Sequence, residues 1–285
     1  MKKIVLRDGR EKEFFSGEMD VMGIINVTPD SFFPGSRTEN KEAALNRAAE
    51  MIAAGATFID VGGESTRPGS DPVDSEEEKK RVCPVIEGIR QMSKDIIISV
   101  DTYHAETAEA AILAGADIIN DISGLTFDEN MVKVAAKYQV PVVIMHINGK
   151  PKTMQEEPHY DNVVEEVYQF LDKQVNYAIE NGVSRDKIII DLGIGFGKTC
   201  QHNVELLKNI NRFDELNLPQ LLAVSRKSFI GAILHQDDPE NRLAGTLAVT
   251  LYAKERGVEI TRVHDVKENV DAIRITDVLE GRYRP

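Results

Sequence analysis

Eight short apolar runs in this chain each end in side chains that can bind or ionise. These are Asn26, Glu64 with Ser65-Thr66-Arg67, Asp101, Asn120 with Asp121, His146, Asp191, Ser225 with Arg226-Lys227, and Arg262 with His264. A single Asp, Asn or Ser at such a place often caps the following helix. Recurrence at all eight ends points instead to one shared site. Asp101 and Asp191 follow IIISV and KIII, so their carboxylates lie at the edge of a core and need hydrogen-bond donors. A planar heterocycle with an N–H beside an amino group offers two donors that one carboxylate can accept together. Asn120 carries both a donor and an acceptor and can read the same ring edge. The alternative is a scaffold ion pair between such an Asp and Lys227 or Arg262.

The basic residues suggest an anion. Lys227 precedes a helix opening at Ser228, and a helix start presents free N–H groups to a carboxylate or phosphate. Arg262 and His264 are two apart on one strand and so face one side. With Arg67 they can hold a pyrophosphate, arginine by its two-pronged fork. Two loops rich in Gly, Pro, Ser and Thr, 26–38 and 62–75, are long enough to order over a ligand. GIGFGK (193–198) resembles a phosphate-cradling loop without the Walker spacing. EEEKKR (76–81) reads as a solvated helix face.

The elements that position these groups follow one theme. Strand candidates are 21–26, 57–63, 96–101, 117–122, 141–146, 187–193, 221–225 and 260–264, apolar on both faces as buried parallel strands are. Helical patterns at 41–55, 105–116, 162–182 and 242–257 lie between them, and three close on glycine caps. Eight successive units predict a closed (β/α)8 TIM barrel, one domain over 1–285, with its catalytic groups at the carboxyl ends of the strands. Residues 1–19 predict a short N-terminal β-hairpin turning at Asp8-Gly9 and plugging the barrel floor.

The bulk properties narrow the partners. A net charge of −13 on 285 residues disfavours nucleic acid and anionic membranes while leaving a local basic cluster free to bind a small anion. Two distant cysteines, Cys83 and Cys200, fit no metal or redox spacing, and Cys83 is expected in the core. With no signal-like or membrane-spanning run, the expected location is cytoplasmic.

The segments MGIINVTPDSF, DVGGESTRPGS, SVDTYHAETAEAA, ADIINDISG, GIGFGKT, SRKSFIG and TRVHDVKENV occur in this order, each at a proposed strand. In them the chain resembles dihydropteroate synthase, over nearly its whole length from about residue 20. The resemblance implies condensation of 6-hydroxymethyl-7,8-dihydropterin diphosphate with 4-aminobenzoate, with pyrophosphate released. It implies that Asp101, Asn120, Asp191 and Lys227 hold the pterin, with Met145 and Phe196 lining its ring and Arg262 over one face. Asn26, Arg262 and His264 would hold the diphosphate, Asn26 also lying near Mg2+. Thr66, Arg67, Pro68, Ser228 and Phe32 would form the aminobenzoate side. Lys227, Arg262, His264 and Asp101 are then the catalytic candidates, a homodimer through late helices is expected, and sulfonamides would mimic 4-aminobenzoate.

The chain departs from the usual pattern in three places. Phe33-Pro34-Gly35-Ser36 stands where many members have Ser-Asp-Gly-Gly, removing an acidic loop residue. Ile147-Asn148-Gly149-Lys150-Pro151 follows His146, and Leu192 replaces a proline before GIGFGK. A methyltetrahydrofolate methyltransferase serving a corrinoid partner would share the pterin pocket, but it has no need of SRKS or of the two aminobenzoate loops. A pterin-binding paralogue without turnover is the other alternative.

Overall fold

In the computed structural model, residues 2–28, 37–66 and 69–282 are described. Eight parallel strands close into a barrel: β3 (Asp20–Asn26), β4 (Phe58–Gly62), β5 (Ile97–Asp101), β6 (Ile118–Asp121), β7 (Val142–Met145), β8 (Ile188–Asp191), β9 (Gln220–Ala223) and β10 (Ile260–Val263). β10 pairs with both β9 and β3, which closes the ring. Each strand sits within two residues of its expected place. These runs are apolar on alternate residues of both faces, and only a sheet covered on both sides can bury them.

Helices α1 (Arg37–Ala53), α2 (Ser75–Met92), α3 (Ala105–Ala114), α4 (Met131–Tyr138), α5 (Val163–Glu180), α6 (Cys200–Lys208), α7 (Ser228–Leu234), α8 (Leu243–Lys254) and α9 (Val266–Leu279) fill the connections. Local chemistry sets their ends. Asp74 accepts from Glu77 N to start α2, and Asn162 accepts from Glu165 N to start α5. Gly115, in the left-handed region, stops α3. The run EEEKKR lies in α2, but it is not wholly solvated as the sequence suggested. Glu78 is buried, accepts from Thr102 Oγ1 at 2.7 Å, and burial pushes its carboxyl up.

The antiparallel hairpin of β1 (Lys2–Val5) and β2 (Glu11–Phe14) lies across one end of the barrel. Ile4, Leu6 and Phe14 share an apolar cluster with Met22, Phe58, Ile97, Ile118, Val143, Ile189, Leu221, Ala223 and Ile260, so that every barrel strand contributes to it. That layer is the floor. A second, larger core lies between the outer strand faces and the helices, and Cys83 is only partly buried against it. With the amino end sealed by apolar packing, polar groups inside the barrel can face only the carboxyl end.

Candidate active site

Side chains alternate along a strand, so the residues two beyond the floor also point inward. In β4, β5, β6, β7, β8 and β10 these are Asp60, Ser99, Asn120, Met145, Asp191 and Arg262, and one step further in β5 is Asp101. Register places Asp101 beside Asn120, and Met145 beside Asp191. Five of the expected pterin groups, Asp101, Asn120, Met145, Asp191 and Arg262, thus share the barrel interior, with Lys227 arriving from the turn after β9.

Arg262 organises the centre. Its Nε donates to Asp60 Oδ2 at 2.5 Å and its Nη2 to Asp101 Oδ2 at 2.6 Å, while Asn120 Nδ2 donates to Asp60 Oδ2 at 3.2 Å. Burial works against the guanidinium charge, but Asp60 and Asp101 outweigh it, so the arginine stays protonated. Burial pushes Asp101 up and Arg262 pulls it back, and the ion pair at bonding distance keeps its charge compensated. Asp60 Oδ1 and Asp101 Oδ1 are buried without a hydrogen-bond partner among the described residues. Such an orphaned acceptor costs about 1–3 kcal/mol. Two of them on carboxylates that share one arginine suit a ligand that brings donors.

Asp60 was not singled out from the sequence, where attention rested on strand ends. Its signal was a carboxylate in the middle of the run TFIDVGG, a position at which an apolar residue is the rule.

Asp191 accepts from Gly193 N at 2.8 Å, and burial raises its carboxyl pKa while Lys227 opposes the rise. Lys227 is the residue before α7; its Nζ donates to the Ile194 carbonyl and lies 4.6 Å from the centre of the Phe196 ring. Burial lowers it to about 8, with Asp191 resisting and Arg262 adding to the fall. Phe196 packs against a cluster containing Met145, Ile122, Ile147 and Met154, so the two expected ring-lining residues share one wall.

The glycine loop 193–198 is not built as a phosphate cradle. Lys198, which would supply the cation, is buried. Its Nζ lies 2.8 Å from His146 Nδ1, 2.9 Å from the Gly193 carbonyl and 3.0 Å from that of Phe196. Gly193 has φ 65°, and a Cβ there would meet the His146 carbonyl at 1.8 Å. Only glycine lets the loop lie flat on the turn after β7. The lysine pins from beneath the loop that carries Phe196.

Around the mouth, Asn26 ends β3 and Ser228 opens α7. His264 lies just past β10 with Nδ1 3.0 Å from Ser225 Oγ, and its carbonyl accepts from Arg47 at 3.0 Å. Arg262 and His264 therefore reach the same end of the barrel, but Arg262 has Nε and Nη2 committed to carboxylates. Arg226, with φ 56°, makes a two-pronged contact with Asp265 at 2.9 and 2.7 Å, tying the turn that bears Lys227 to the one that bears His264. Thr66 stands at the edge of its loop. Phe32, Arg67 and Pro68, and the altered segment Phe33-Pro34-Gly35-Ser36, lie outside the described residues.

The family described as pterin binding enzyme matches residues 22–264. The dihydropteroate synthase of Synechocystis is 45% identical over 259 residues, covering 91% of this chain and 89% of that protein. The Escherichia coli K12 dihydropteroate synthase is 46% identical over 257 residues, 90% of each. Among solved structures, Xanthomonas albilineans dihydropteroate synthase with 4-aminobenzoic acid superposes with a TM-score of 0.89 at 41% identity, covering 96% of each chain. The same enzyme with 7,8-dihydropteroate gives 0.85 at 38% identity, covering 96% of this chain and 97% of that one. The Yersinia pestis enzyme with a sulfonamide drug complex gives 0.91 at 39% identity, covering 98% and 99%.

Proposed function

The chain belongs to the pterin binding enzymes, and within them to the dihydropteroate synthases; on that premise we propose how its own residues carry the reaction. It is a transferase that condenses 6-hydroxymethyl-7,8-dihydropterin diphosphate with 4-aminobenzoate to 7,8-dihydropteroate and pyrophosphate, in folate biosynthesis. The bond that breaks joins the pterin methylene carbon to the diphosphate oxygen, and its electron pair leaves with pyrophosphate. The bond that forms joins that carbon to the arylamine nitrogen, which then releases a proton to water. The electron-rich ring can delocalise a developing methylene cation, so the displacement is dissociative and needs no covalent enzyme intermediate. Positioning and charge compensation dominate.

Asp191 accepts the ring N–H and amino group together, while Asp101 and Asn120 read the remaining ring edge. Met145 and Phe196 flank the ring, and Lys227 holds its acceptors. Arg262 covers one ring face and, with His264 and Asn26, faces the leaving diphosphate. Thr66 and Ser228 would form the aminobenzoate side, to which the resemblance also assigns Phe32, Arg67 and Pro68, outside the described residues. The observation that best supports a donor-rich ring here is the orphaned oxygen Asp101 Oδ1, on a residue placed at the ring edge.

Mg2+ would enter with the diphosphate. Asn26 Oδ1 lies 3.7 Å from where a side chain on Gly62 would begin, a hard oxygen donor facing that gap. Asn26 is the protein group that would hold the ion, which would supply charge neutralisation for the leaving group. We also read the chain as one domain that forms a homodimer. The exposed Ile275 and Leu279 of α9, with Leu234 of α7, support an interface on the late helices. Two free cysteines suit a cytoplasmic location, and among the described residues no helix is long and apolar enough to cross a membrane.

Pyrophosphate release from the pterin diphosphate, with and without 4-aminobenzoate and Mg2+, tests the reaction. Release should require both substrates and fall when the metal is chelated. Methyl transfer from methyltetrahydrofolate, with no release from the synthase substrates, would overturn it.

A further inference from the structure

The loop carrying Thr66 leaves the barrel through Glu64, a buried carboxylate that the reaction as described does not use. Two contacts fix its approach. Gly63 runs so close to α2 that a Cβ there would lie 2.9 Å from Glu78 Cγ and Val82 Cγ1, and its carbonyl accepts from Arg81 Nη1 at 2.9 Å. Glu64 then turns inward. Its Oε1 accepts from the Tyr103 hydroxyl, and its Oε2 lies 3.6 Å from His104 Nε2. Burial, with Glu64 as acceptor, pushes the Tyr103 phenol up, so it remains a neutral donor; the facing Glu64 carboxylate raises His104.

Both partners come from the turn after β5, which begins at the pterin-site residue Asp101. The Tyr103 ring packs against the cluster containing Met145, beside Phe196, and meets Phe127 edge-on at 5.4 Å. One carboxylate therefore joins the base of the aminobenzoate loop to the wall of the pterin pocket. An apolar residue would fill the same volume without the cost of a buried charge. The carboxylate adds direction, because Oε1 accepts from Tyr103 while Oε2, buried without a hydrogen-bond partner among the described residues, faces the His104 ring at ion-pair distance.

We propose that Glu64 is a positioning residue for 4-aminobenzoate: held by the Tyr103 hydroxyl and facing His104, it sets the path by which Ser65 and Thr66 leave the barrel relative to the pterin wall. This rests on the placement of Thr66 on the aminobenzoate side. Glu64 does not touch the reacting atoms, so its effect falls on the second substrate and not on the chemical step.

The test is steady-state kinetics in both substrates for Glu64→Gln, Tyr103→Phe, their double variant and Thr66→Ala, with thermal melting of each. Glu64→Gln and Tyr103→Phe should each raise KM for 4-aminobenzoate about tenfold, the scale of one hydrogen bond to a charged group. Both kcat and KM for the pterin diphosphate should stay within about twofold of wild type. The double variant should be no worse than the worse single one, because both remove one contact. An unchanged aminobenzoate KM in both singles would overturn the proposal, as would a parallel rise in both KM values with a lowered melting temperature. If Thr66→Ala is silent, the placement of Thr66 on the aminobenzoate side falls and the proposal with it. If Thr66→Ala raises KM and the Glu64 and Tyr103 variants do not, only the Glu64 proposal falls.

Discussion

Asp60 Oδ2 accepts from Arg262 Nε at 2.5 Å, although 202 positions separate the two residues in the chain. They meet because β4 and β10 are the two neighbours of β3: Asp60 stands opposite Ile24, and Arg262 opposite Met22. The apolar side chains of β3 leave room between them for the guanidinium. Asp60 also accepts from Asn120, so one fully buried carboxylate orients two groups of the pterin pocket.

Asp60→Asn should therefore cost more than a hydrogen bond. It leaves Arg262 with one carboxylate instead of two, and breaking a buried pair costs about 3–5 kcal/mol. We expect a lower melting temperature and a loss in kcat/KM of about 100-fold, with Asp60→Ala more severe. Near-normal kcat/KM in Asp60→Asn would show that Asp101 alone suffices to hold the arginine.

Lys227 should set an alkaline limit. Burial lowers its pKa to about 8, so it is a cation below that pH and neutral above it. If the cation is what binds the pterin, kcat/KM for the pterin diphosphate falls as pH rises through about 8, since this ratio reports the free enzyme. Lys227→Arg, charged throughout, should move that limb to higher pH. Lys227→Ala and Asp191→Ala should each lower kcat/KM about 100-fold or more while the circular dichroism stays native. A pH profile in Lys227→Arg that matches wild type would remove the lysine as its cause.

Lys198 should act on the pterin alone. Lys198→Met removes the donor shared by the carbonyls of Gly193 and Phe196; Gly193 O keeps the Phe196 N–H at 3.0 Å, so the loss is about 1–3 kcal/mol for the Phe196 carbonyl left dry. Melting should fall and KM for the pterin diphosphate should rise, with KM for 4-aminobenzoate unchanged. Equal effects on both substrates would mean that the loop supports the whole mouth and not Phe196 in particular.

The hairpin should matter for stability and not for catalysis. Phe14 is buried in the floor layer with Phe58 and Ile97, and Phe14→Ala should destabilise by about 3–5 kcal/mol in urea unfolding. KM for both substrates should be unchanged at temperatures where the variant is folded, because the site lies at the opposite end of the barrel.

The sequence by itself determined the repeat, the barrel and most of the pocket. Strands buried on both faces have no polar alternation to hide them, so β3 through β10 were legible as apolar runs. Asp101, Asn120 and Asp191 were legible because a polar residue closing such a run is conspicuous. Tertiary structure alone decided what those residues touch. Asp60 became a partner of Arg262 only when β10 closed onto β3, a contact that no local spacing encodes. Lys198 sits in a glycine motif that reads equally well as a phosphate loop; packing turned its ammonium inward, where carbonyls and an imidazole replace water. Glu78 is one of three adjacent glutamates, and only the docking of α2 selected it for burial. Local pattern reports which face of an element is apolar, whereas the pairing of buried charges depends on distances across the barrel that exist only once it is closed.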